Sequence, residues 1–354
     1  MASRKRFSEN GVNKKKMSKK QKAVIILAVI VALGVITFAL WRAFQPIDSK
    51  HGIKDKHGVT RYYSPLTGME TTAEKTLRNV IGVMIENSPE SRPQAGLTEA
   101  GIVYEAVAEG GITRFLALYQ EADPELLCPV RSVRSYFLEW SVAYGASIAH
   151  VGGSGDALVM LSTGDYGADL DQSYHPTYFW REPTRYAPHD VCTTITNLRN
   201  LEKLVGAKEH DFTPFARKDS KAVEEPNATN INIPVATGPF NVDYKYDSET
   251  NKYLRYQGGE PHMDQTKGQI APDVVIALDV NISLRNDNLH NDIYTIGTDR
   301  PVWIFQNGTV EKGIWLRGDH HSPLLIHDAE GNDIKLNRGQ TWITALNDIH
   351  SVNY

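Results

Sequence analysis

Residues 102–120 read IVYEAVAEGGITRFLALYQ, two apolar segments that flank a pair of glycines. Glycine adopts positive φ angles without steric cost, so Gly110 and Gly111 suit the central positions of a tight hairpin turn. The flanking segments have the length and the apolar composition of buried strands. The stretch therefore predicts an antiparallel strand pair in the core of the protein.

The segments around this hairpin predict both strands and helices. Apolar side chains spaced three to four apart in residues 132–144 predict an amphipathic helix. Thr193 or Thr194 suits the N-cap of another helix, which reaches about Val205. Shorter elements are expected in VIGVMIEN (80–87, strand), SIAHV (147–151, strand) and ALVML (157–161, helix). Together these elements predict an α/β or α+β N-terminal ectodomain.

Beyond residue 230 the pattern of a strand predominates. Apolar and polar residues alternate in several segments, and Asn307-Gly308 is a strong signal for a type I′ hairpin turn. We therefore expect a mostly antiparallel β C-terminal domain.

The N-terminal segment has the composition of a membrane anchor. Nine lysines and arginines precede an uncharged apolar run of 19 residues from Ala23 to Trp41. At ~1.5 Å per residue a helix of this length spans roughly the hydrocarbon core of a bilayer. Because cations stay on the cytoplasmic side, the N-terminus is expected inside and the C-terminal domains outside. A cleaved signal fits less well, since large residues end the apolar run. A lipoprotein signal fits less well, since no cysteine stands just after the run.

The sequence thus predicts six consecutive parts. They are a basic cytoplasmic tail (1–22), a transmembrane signal anchor (23–44), a stalk (45–60), an N-terminal domain (61–210), a connector (211–235) and a C-terminal domain (236–354).

The charge of the chain is unevenly distributed. Residues 1–44 hold 10 of the 38 lysines and arginines but only 1 of the 42 acidic residues, which leaves a net charge of −13 on the remainder. So acidic a surface disfavours diffuse binding to polyanions, and we expect no nucleic-acid partner. Any site for an anion outside the membrane must therefore be a local pocket.

Cys128 and Cys192 both lie in the part that is expected outside the membrane, where a disulfide is chemically allowed. They could close a loop of roughly 65 residues. Two separately buried thiols are an equally good interpretation. Neither a CxxC spacing nor a cysteine cluster indicates a zinc or redox site.

Several long motifs are distributed over residues 60–354. They are PLTG (65–68), IENSPESRPQAGLTEAGIVYEAVAEGGITRFLALYQ (85–120), PVRSVRSYFLEW (129–140), HVGGS (150–154), FWR (179–181), RYAPHD (185–190) and LNRGQTWI (336–343). Together they resemble the YerB-like family of bacterial envelope proteins over nearly all of this range. The resemblance implies an envelope-attached protein, usually a lipoprotein, with an N-terminal and a C-terminal family domain and no established biochemical activity. This chain departs from that pattern by its expected transmembrane anchor and the lack of a lipidation cysteine.

A glycine loop, GGSGD (152–156), lies between a predicted strand and a predicted helix. Gly152, Gly153 and Gly155 would let the backbone approach a ligand closely, and the start of a helix suits an anion. The loop matches neither a dinucleotide fingerprint, a P-loop nor a nucleophile elbow. The alternative is an ordinary turn in which Ser154 or Asp156 caps the helix.

Four arginines suit the recognition of a negatively charged ligand through bidentate hydrogen bonds: Arg131, Arg134, Arg181 and Arg185. Arg131 and Arg134 are three residues apart at the start of the predicted helix, so both can project from one face. Equally, arginines here can form structural ion pairs with Glu105, Glu109 or Glu139.

Two histidines are candidates for a general base. His150 ends a predicted strand, and His189 lies in an Ala-Pro-His-Asp turn. An acid to orient either ring is available in Glu105, Glu109 or Asp190. With Ser154 as nucleophile, a Ser154–His189–acid relay is conceivable. The alternative is that both histidines are hydrogen-bonded within turns.

The sequence leaves two functional hypotheses. The first is a pocket for an anionic or glycan-derived envelope ligand, lined by the arginines, histidines and glycines above, with metal-independent hydrolysis as an extension. The second is a non-catalytic scaffold or adaptor that binds another envelope protein through the sheet edges of its C-terminal domain. HExxH is absent and the neighbouring His320 and His321 would point in different directions, so neither a metal nor another cofactor is predicted.

Overall fold

A ten-stranded mixed sheet forms the centre of the protein and contains strands from both halves of the chain. The computed structural model describes residues 52–54 and 58–354. The predicted tail (1–22), the predicted anchor (23–44) and most of the predicted stalk lie outside these residues. Within the described residues, no helix has both the length and the apolar character needed to cross a membrane.

The first part of the described chain alternates strands with short helices. Its elements are β1 (Gly52–Lys54), β2 (Thr60–Tyr63), β3 (Glu70–Thr71), α1 (Ala73–Thr76), β4 (Ile81–Glu86), β5 (Ile102–Val107), β6 (Thr113–Tyr119), α2 (Ser135–Val142), β7 (Ser147–His150), α3 (Gly155–Ser162), β8 (Asp169–Asp171), β9 (Trp180–Arg181), β10 (Val191–Cys192) and α4 (Ile195–Val205). Residues 52–54 of the predicted stalk form β1, which pairs with β2.

The second part consists of strands joined by turns. They are β11 (Arg217–Lys218), β12 (Asn230–Ile233), β13 (Val242–Asp247), β14 (Lys252–Gln257), β15 (Glu260–Pro261), β16 (Met263–Asp264), β17 (Gly268–Gln269), β18 (Val274–Asp279), β19 (Ile282–Leu284), β20 (Asn291–Ile293), β21 (Gly297–Gln306), β22 (Thr309–Arg317), β23 (Leu325–His327), β24 (Leu336–Asn337) and β25 (Thr341–Leu346).

The strand order of the central sheet is β23-β22-β21-β18-β25-β5-β6-β4-β7-β8. Four neighbouring pairs run parallel, namely β18–β25, β25–β5, β4–β7 and β7–β8, and the other five run antiparallel. Strands β12–β15 form a second, antiparallel sheet. The prediction of a mostly antiparallel C-terminal part is confirmed. The N-terminal part mixes parallel and antiparallel pairs, and strands predominate over helices.

Both predicted hairpin turns are present. Gly110 and Gly111 join β5 to β6 with φ angles of +58° and +78°. Asn307 and Gly308 join β21 to β22 with φ angles of +59° and +79°. Two consecutive positive φ angles give a turn that matches the right-handed twist of the flanking strands. The dipeptides Gly110-Gly111 and Asn307-Gly308 predict such turns, and both predictions are confirmed.

The helices begin where a residue with extended backbone can cap them. Thr194 caps α4, because its side-chain oxygen accepts a hydrogen bond from the backbone N–H of Asn197 at 3.0 Å. The helix predicted in residues 132–144 is shorter and begins at Ser135. Its cap is Arg134, whose φ of −125° and ψ of 153° are extended.

Apolar side chains fill both faces of the central sheet. On one face, Phe115 and Trp342 belong to a core that includes Leu198 of α4 and Tyr244 of the second sheet. On the other face, side chains such as Tyr104 pack with α2 and α3. Because both faces are covered, the central strands are buried along their whole length, as continuous apolar runs indicate.

The last strand of the chain lies at the centre of the sheet. β25 pairs in parallel with β18 on one side and with β5 on the other, so that Thr341 is opposite both Val274 and Ile102. Strands from the predicted N-terminal and C-terminal domains therefore share one hydrogen-bonded sheet. This arrangement brings side chains that are far apart in sequence into one buried layer.

Cys128 and Cys192 form a disulfide. They pack with Ala95, Leu126 and Trp180. Of the two interpretations that the sequence allowed, the structure therefore shows the cross-link and not two separate thiols.

Candidate functional site

His150 is fully buried at the end of β7. Its Nδ1 lies 2.8 Å from the carbonyl oxygen of Gly152, and its Nε2 lies 2.9 Å from Oδ1 of Asp169. Burial acts to raise the pKa of Asp169, but the hydrogen bond and charge of His150 outweigh it and lower that pKa. Since both ring nitrogens are engaged, the geometry does not support the predicted role of His150 as a general base.

The glycine loop forms a turn held by protein contacts. Gly152 has a φ of +60°, and its N–H donates to Oδ1 of Asp171 at 3.2 Å. A Cβ atom at Gly153 would lie only 2.7 Å from Cγ1 of Val133. Backbone conformation thus requires glycine at position 152, and close packing requires it at position 153. The loop has the features of an ordinary turn, which was the alternative to a binding loop.

Ser154 is the N-cap residue of α3, which begins at Gly155. Oδ2 of the next residue, Asp156, lies 2.7 Å from Nη2 of Arg285. Burial acts to raise the pKa of Asp156, but its hydrogen bonds, first of all that with Arg285, lower it far below its usual value. The hydroxyl of Ser154 is buried and has no hydrogen-bond partner within the described residues.

Arg134 pairs with Glu109, and Arg114 pairs with the other oxygen of the same carboxylate, at 2.9 and 2.6 Å. Burial raises the pKa of Glu109, but the two guanidinium charges and their hydrogen bonds lower it overall. Arg131 points to a different carboxylate. The prediction that Arg131 and Arg134 share one helix face is wrong, because the helix begins only after both of them.

Arg131 and His189 meet at Glu86, the last residue of β4. Nε of Arg131 lies 3.2 Å from Oε1 of Glu86, and Nδ1 of His189 lies 2.9 Å from Oε2. Oγ of Ser88 lies 3.3 Å both from Oε1 of Glu86 and from Nδ1 of His189. We call Glu86, Ser88, Arg131 and His189 the Glu86 cluster. The serine beside His189 is therefore Ser88, and the predicted Ser154–His189 relay is not formed.

The Glu86 cluster leaves hydrogen-bonding groups available. The carboxylate can only accept, so Nδ1 of His189 carries a proton, and in the neutral form of the ring Nε2 keeps a free lone pair. Among residues 58–354 we find no hydrogen-bond partner for this Nε2 or for the two terminal nitrogens of Arg131. The side chains of His189 and Arg131 are 20% and 26% exposed, whereas that of Glu86 is 5% exposed. A ligand could therefore reach the histidine and the arginine but not the carboxylate.

The remaining two predicted arginines contact other parts of the protein. Nη1 of Arg181 pairs with Asp190 at 2.6 Å. Arg185 donates to the carbonyl oxygens of Ser91 and Pro93 and to the side chain of Gln265. Arg185 thus fixes the loop that follows the Glu86 cluster.

Glu105 lies in a buried polar layer between the two parts of the chain. Its carboxylate accepts from Nη2 of Arg255 at 3.0 Å, from Nε1 of Trp342 at 3.1 Å and from Oγ1 of Thr113 at 3.2 Å. Glu105 and Arg255 are both fully buried. Glu105 therefore pairs with a C-terminal arginine and does not orient either predicted histidine.

A third histidine, His262, continues this layer. Nε of Arg255 donates to its Nδ1 at 2.8 Å, so Nε2 carries the proton and bonds to the side-chain oxygen of Gln94 at 3.0 Å. Burial, and then the charges of Arg255 and Arg92, lower the pKa of His262 well below its usual value. The ring is therefore neutral. Its Nδ1 accepts a hydrogen bond from Arg255, and its Nε2 donates one to Gln94.

Gln94 connects this layer to the Glu86 cluster. Its Nε2 donates to the backbone carbonyl of Glu86 at 2.9 Å and to Oδ1 of Asn87 at 3.0 Å. Residues 86–94, the core of the motif IENSPESRPQ, thus lie between two polar groups of side chains. Ionisable and hydrogen-bonding side chains from both parts of the chain come together at this segment.

Sequence reasoning missed Glu86, Arg255 and His262. Glu86 carried a usable signal, since it ends a buried strand in the same way as His150. Arg255 lies in the segment KYLRYQ (252–257). The alternation of side chains in this segment does not indicate that Tyr253, Arg255 and Gln257 face inward. Such burial depends on partners that are distant in sequence.

Comparisons with known proteins agree with the motifs. Residues 66–210 match the family described as "Protein of unknown function (DUF3048) N-terminal domain", and residues 231–343 match the C-terminal domain of the same family. The chain is 29% identical over 296 residues to a Bacillus subtilis (strain 168) protein named "Putative lipoprotein YerB", with 82% of this chain and 88% of that protein covered. It is also similar to the crystal structure of the YerB protein from Bacillus subtilis, with a TM-score of 0.74 and 28% identity over 82% of this chain and 98% of that one.

Proposed function

Because the chain belongs to the DUF3048 family and carries both of its domains, we propose that it is a membrane-attached extracytoplasmic protein that binds an anionic, glycan-derived envelope ligand. Attachment is supported by the name of its relative, "Putative lipoprotein YerB", and by the apolar run from Ala23 to Trp41. The cations that precede this run favour a cytoplasmic N-terminus. The family itself is of unknown function, so the ligand is inferred from the site alone.

The observation that carries the proposal is the shared carboxylate of Glu86. It holds Arg131 and His189 through its two oxygens, and it directs Nε2 of His189 and the terminal nitrogens of Arg131 away from itself. A guanidinium with free terminal nitrogens suits a phosphate or carboxylate. A free imidazole lone pair suits a hydroxyl donor. A sugar that carries an anionic group beside a hydroxyl offers both.

The same geometry allows hydrolysis as an extension of binding. A histidine whose Nδ1–H is held by a carboxylate can accept a proton at Nε2 from a water molecule. The water oxygen would bond to the scissile centre of the substrate while the bond to the leaving group breaks, and the imidazolium would return its proton to that leaving group. Glu86 would stabilise the imidazolium, and Arg131 would hold the negative charge of the substrate. This step needs a water molecule at Nε2 and no metal ion.

The adaptor hypothesis has less support. In the C-terminal part, the sheet edges are formed by β23 of the central sheet and by β12 and β15 of the second sheet, which are three, four and two residues long. Short edge strands offer few free backbone groups to a partner strand.

The proposal is tested by calorimetric titration of the full-length protein with N-acetylglucosamine 1-phosphate and with neutral N-acetylglucosamine. We expect binding of the phosphate, weakened about tenfold or more by Arg131→Gln and by His189→Phe. Arg338→Gln is a matched control, because Nε of Arg338 also pairs with a carboxylate, that of Asp219, outside the cluster.

Equal binding of the two sugars, or unchanged affinity in both cluster variants, would contradict the proposal. Capture of a specific protein by crosslinking, undiminished in the same variants, would favour the adaptor.

A further inference from the structure

A pocket of about 390 Å³ opens beside residues 86–94. Apolar side chains form much of its lining, among them Pro93, Pro239, Pro261 and Met263. Its volume falls within the range of sites for small molecules, roughly 300–1,000 Å³. None of its lining residues belongs to the Glu86 cluster, so it is a separate candidate site.

Gln257 lines this pocket and is 4% exposed. Neither its Nε2 nor its Oε1 has a hydrogen-bond partner within the described part of the chain. Its neighbours on the inward side of β14, Tyr253 and Arg255, both have partners. Buried amides are almost always hydrogen-bonded, so a fully unpaired one needs an explanation. A ligand that offers one acceptor and one donor side by side, as the C=O and N–H of one residue in an extended peptide do, would satisfy both atoms.

Arg92 lines the same pocket and supplies a positive charge. Its Nε and Nη2 donate to the side chain and backbone of Asn87, at 3.3 and 3.0 Å, and the guanidinium lies 5.3 Å from the ring centre of Phe240. Within residues 58–354 no carboxylate forms an ion pair with Arg92. Burial, followed by the charge of Arg255, lowers its pKa to about 10, so it remains charged at neutral pH.

We propose that this pocket binds a short acylated peptide, with its terminal carboxylate on Arg92 and with the N–H and C=O of the preceding residue on Gln257. The apolar walls accommodate small side chains. Glu260 also lines the pocket and disfavours ligands with several negative charges, such as phosphates. The ligand class differs from that of the Glu86 cluster, so this inference goes beyond the proposed function.

The test is calorimetric titration of the full-length protein with N-acetyl-alanyl-alanine and with its C-terminal amide. We expect the acid to bind about tenfold or more tightly than the amide, because only the acid pairs with Arg92. Arg92→Gln should remove this preference. Arg338→Gln, which changes a stacked arginine elsewhere, should not.

Gln257→Leu gives the sharper result. It should weaken binding of the acid by about tenfold or more while the thermal midpoint stays equal or rises, because the variant removes two unpaired polar atoms. Gln257→Met is a second variant with an unbranched side chain if leucine does not fit. Gln172→Leu is a matched control at a half-buried glutamine outside the pocket.

Absence of binding by both peptides, or wild-type affinity in both Gln257 variants, would overturn the inference. His189→Phe should leave peptide binding unchanged. If the wild-type protein bound the acylated peptide but not N-acetylglucosamine 1-phosphate, that result would count against the proposed function and not against this pocket.

Discussion

Glu105 and Arg255 are 150 residues apart in sequence and form an ion pair in which both side chains are fully buried. Arg255 also lies 4.3 Å from the ring centre of Trp342 and donates to the hydroxyl of Tyr244 at 2.6 Å. Glu105 belongs to β5 and Arg255 to β14, so the pair joins the N-terminal to the C-terminal part of the fold. Breaking it by a change of one partner leaves the other charge buried.

Glu105→Gln should therefore destabilise the protein by about 3–5 kcal/mol, measured by urea unfolding. Glu70→Gln is the control, because Glu70 pairs with Arg61 at the surface with both side chains about half exposed. That change should cost less than about 1 kcal/mol. Equal losses in the two variants would show that the buried pair does not stabilise the fold.

His262 should make stability fall as the solution becomes acidic. Its pKa is far below the ordinary 6.5 in the folded protein, because of burial and the charges of Arg255 and Arg92. Below about pH 6.5 the unfolded chain therefore binds a proton that the folded protein does not, which favours unfolding. His262→Asn should reduce the slope of unfolding free energy against pH in this range by up to about 1.4 kcal/mol per pH unit. Parallel profiles for the two proteins would contradict this assignment.

The glycine loop should respond differently at two neighbouring positions. Gly153→Ala should lower the thermal midpoint, because the new Cβ would lie 2.7 Å from the side chain of Val133. Gly155→Ala should be tolerated, since no atom lies within 4 Å of a Cβ there. If Gly155→Ala instead abolished ligand binding in a stable protein, the loop would be a binding element after all.

Loss of the Cys128–Cys192 disulfide should destabilise the protein by about 4 kcal/mol, because it cross-links positions 64 residues apart. Cys192→Ala and the double variant with Cys128→Ala should unfold at similar urea concentrations, since the bond is absent from both. A wild-type midpoint that is insensitive to reductant would count against a stabilising role.

The sequence predicted the local elements well because their signals are local. Gly110-Gly111 and Asn307-Gly308 indicated their hairpins through backbone conformation, and the cap at Thr194 followed from its side-chain oxygen. The start of α2 was predicted too early, since the apolar spacing in residues 132–144 continues beyond the helical backbone. Periodicity reports which faces are apolar and not where the hydrogen bonds begin.

The arrangement of the site could be predicted only in part. Arg131 and His189 do meet, yet neither the residue spacing nor the composition indicated that Glu86 would hold both. The burial of Arg255 depends on Glu105, and that contact exists only because β25 and β5 are neighbours. Long-range pairing of this kind leaves no periodic signal in a single sequence.

The position of β25 also bears on how the protein is made. A ribosome delivers the chain from its N-terminus, and β5 receives its parallel partner only when Thr341–Leu346 emerges, roughly 240 residues later. Until then, β5 and β18 each present an unpaired edge where the finished sheet has its centre. A nascent chain, or one that ends before residue 341, therefore exposes the unpaired backbone groups of β5 and β18. Other chains, chaperones and proteases can bind to such edges.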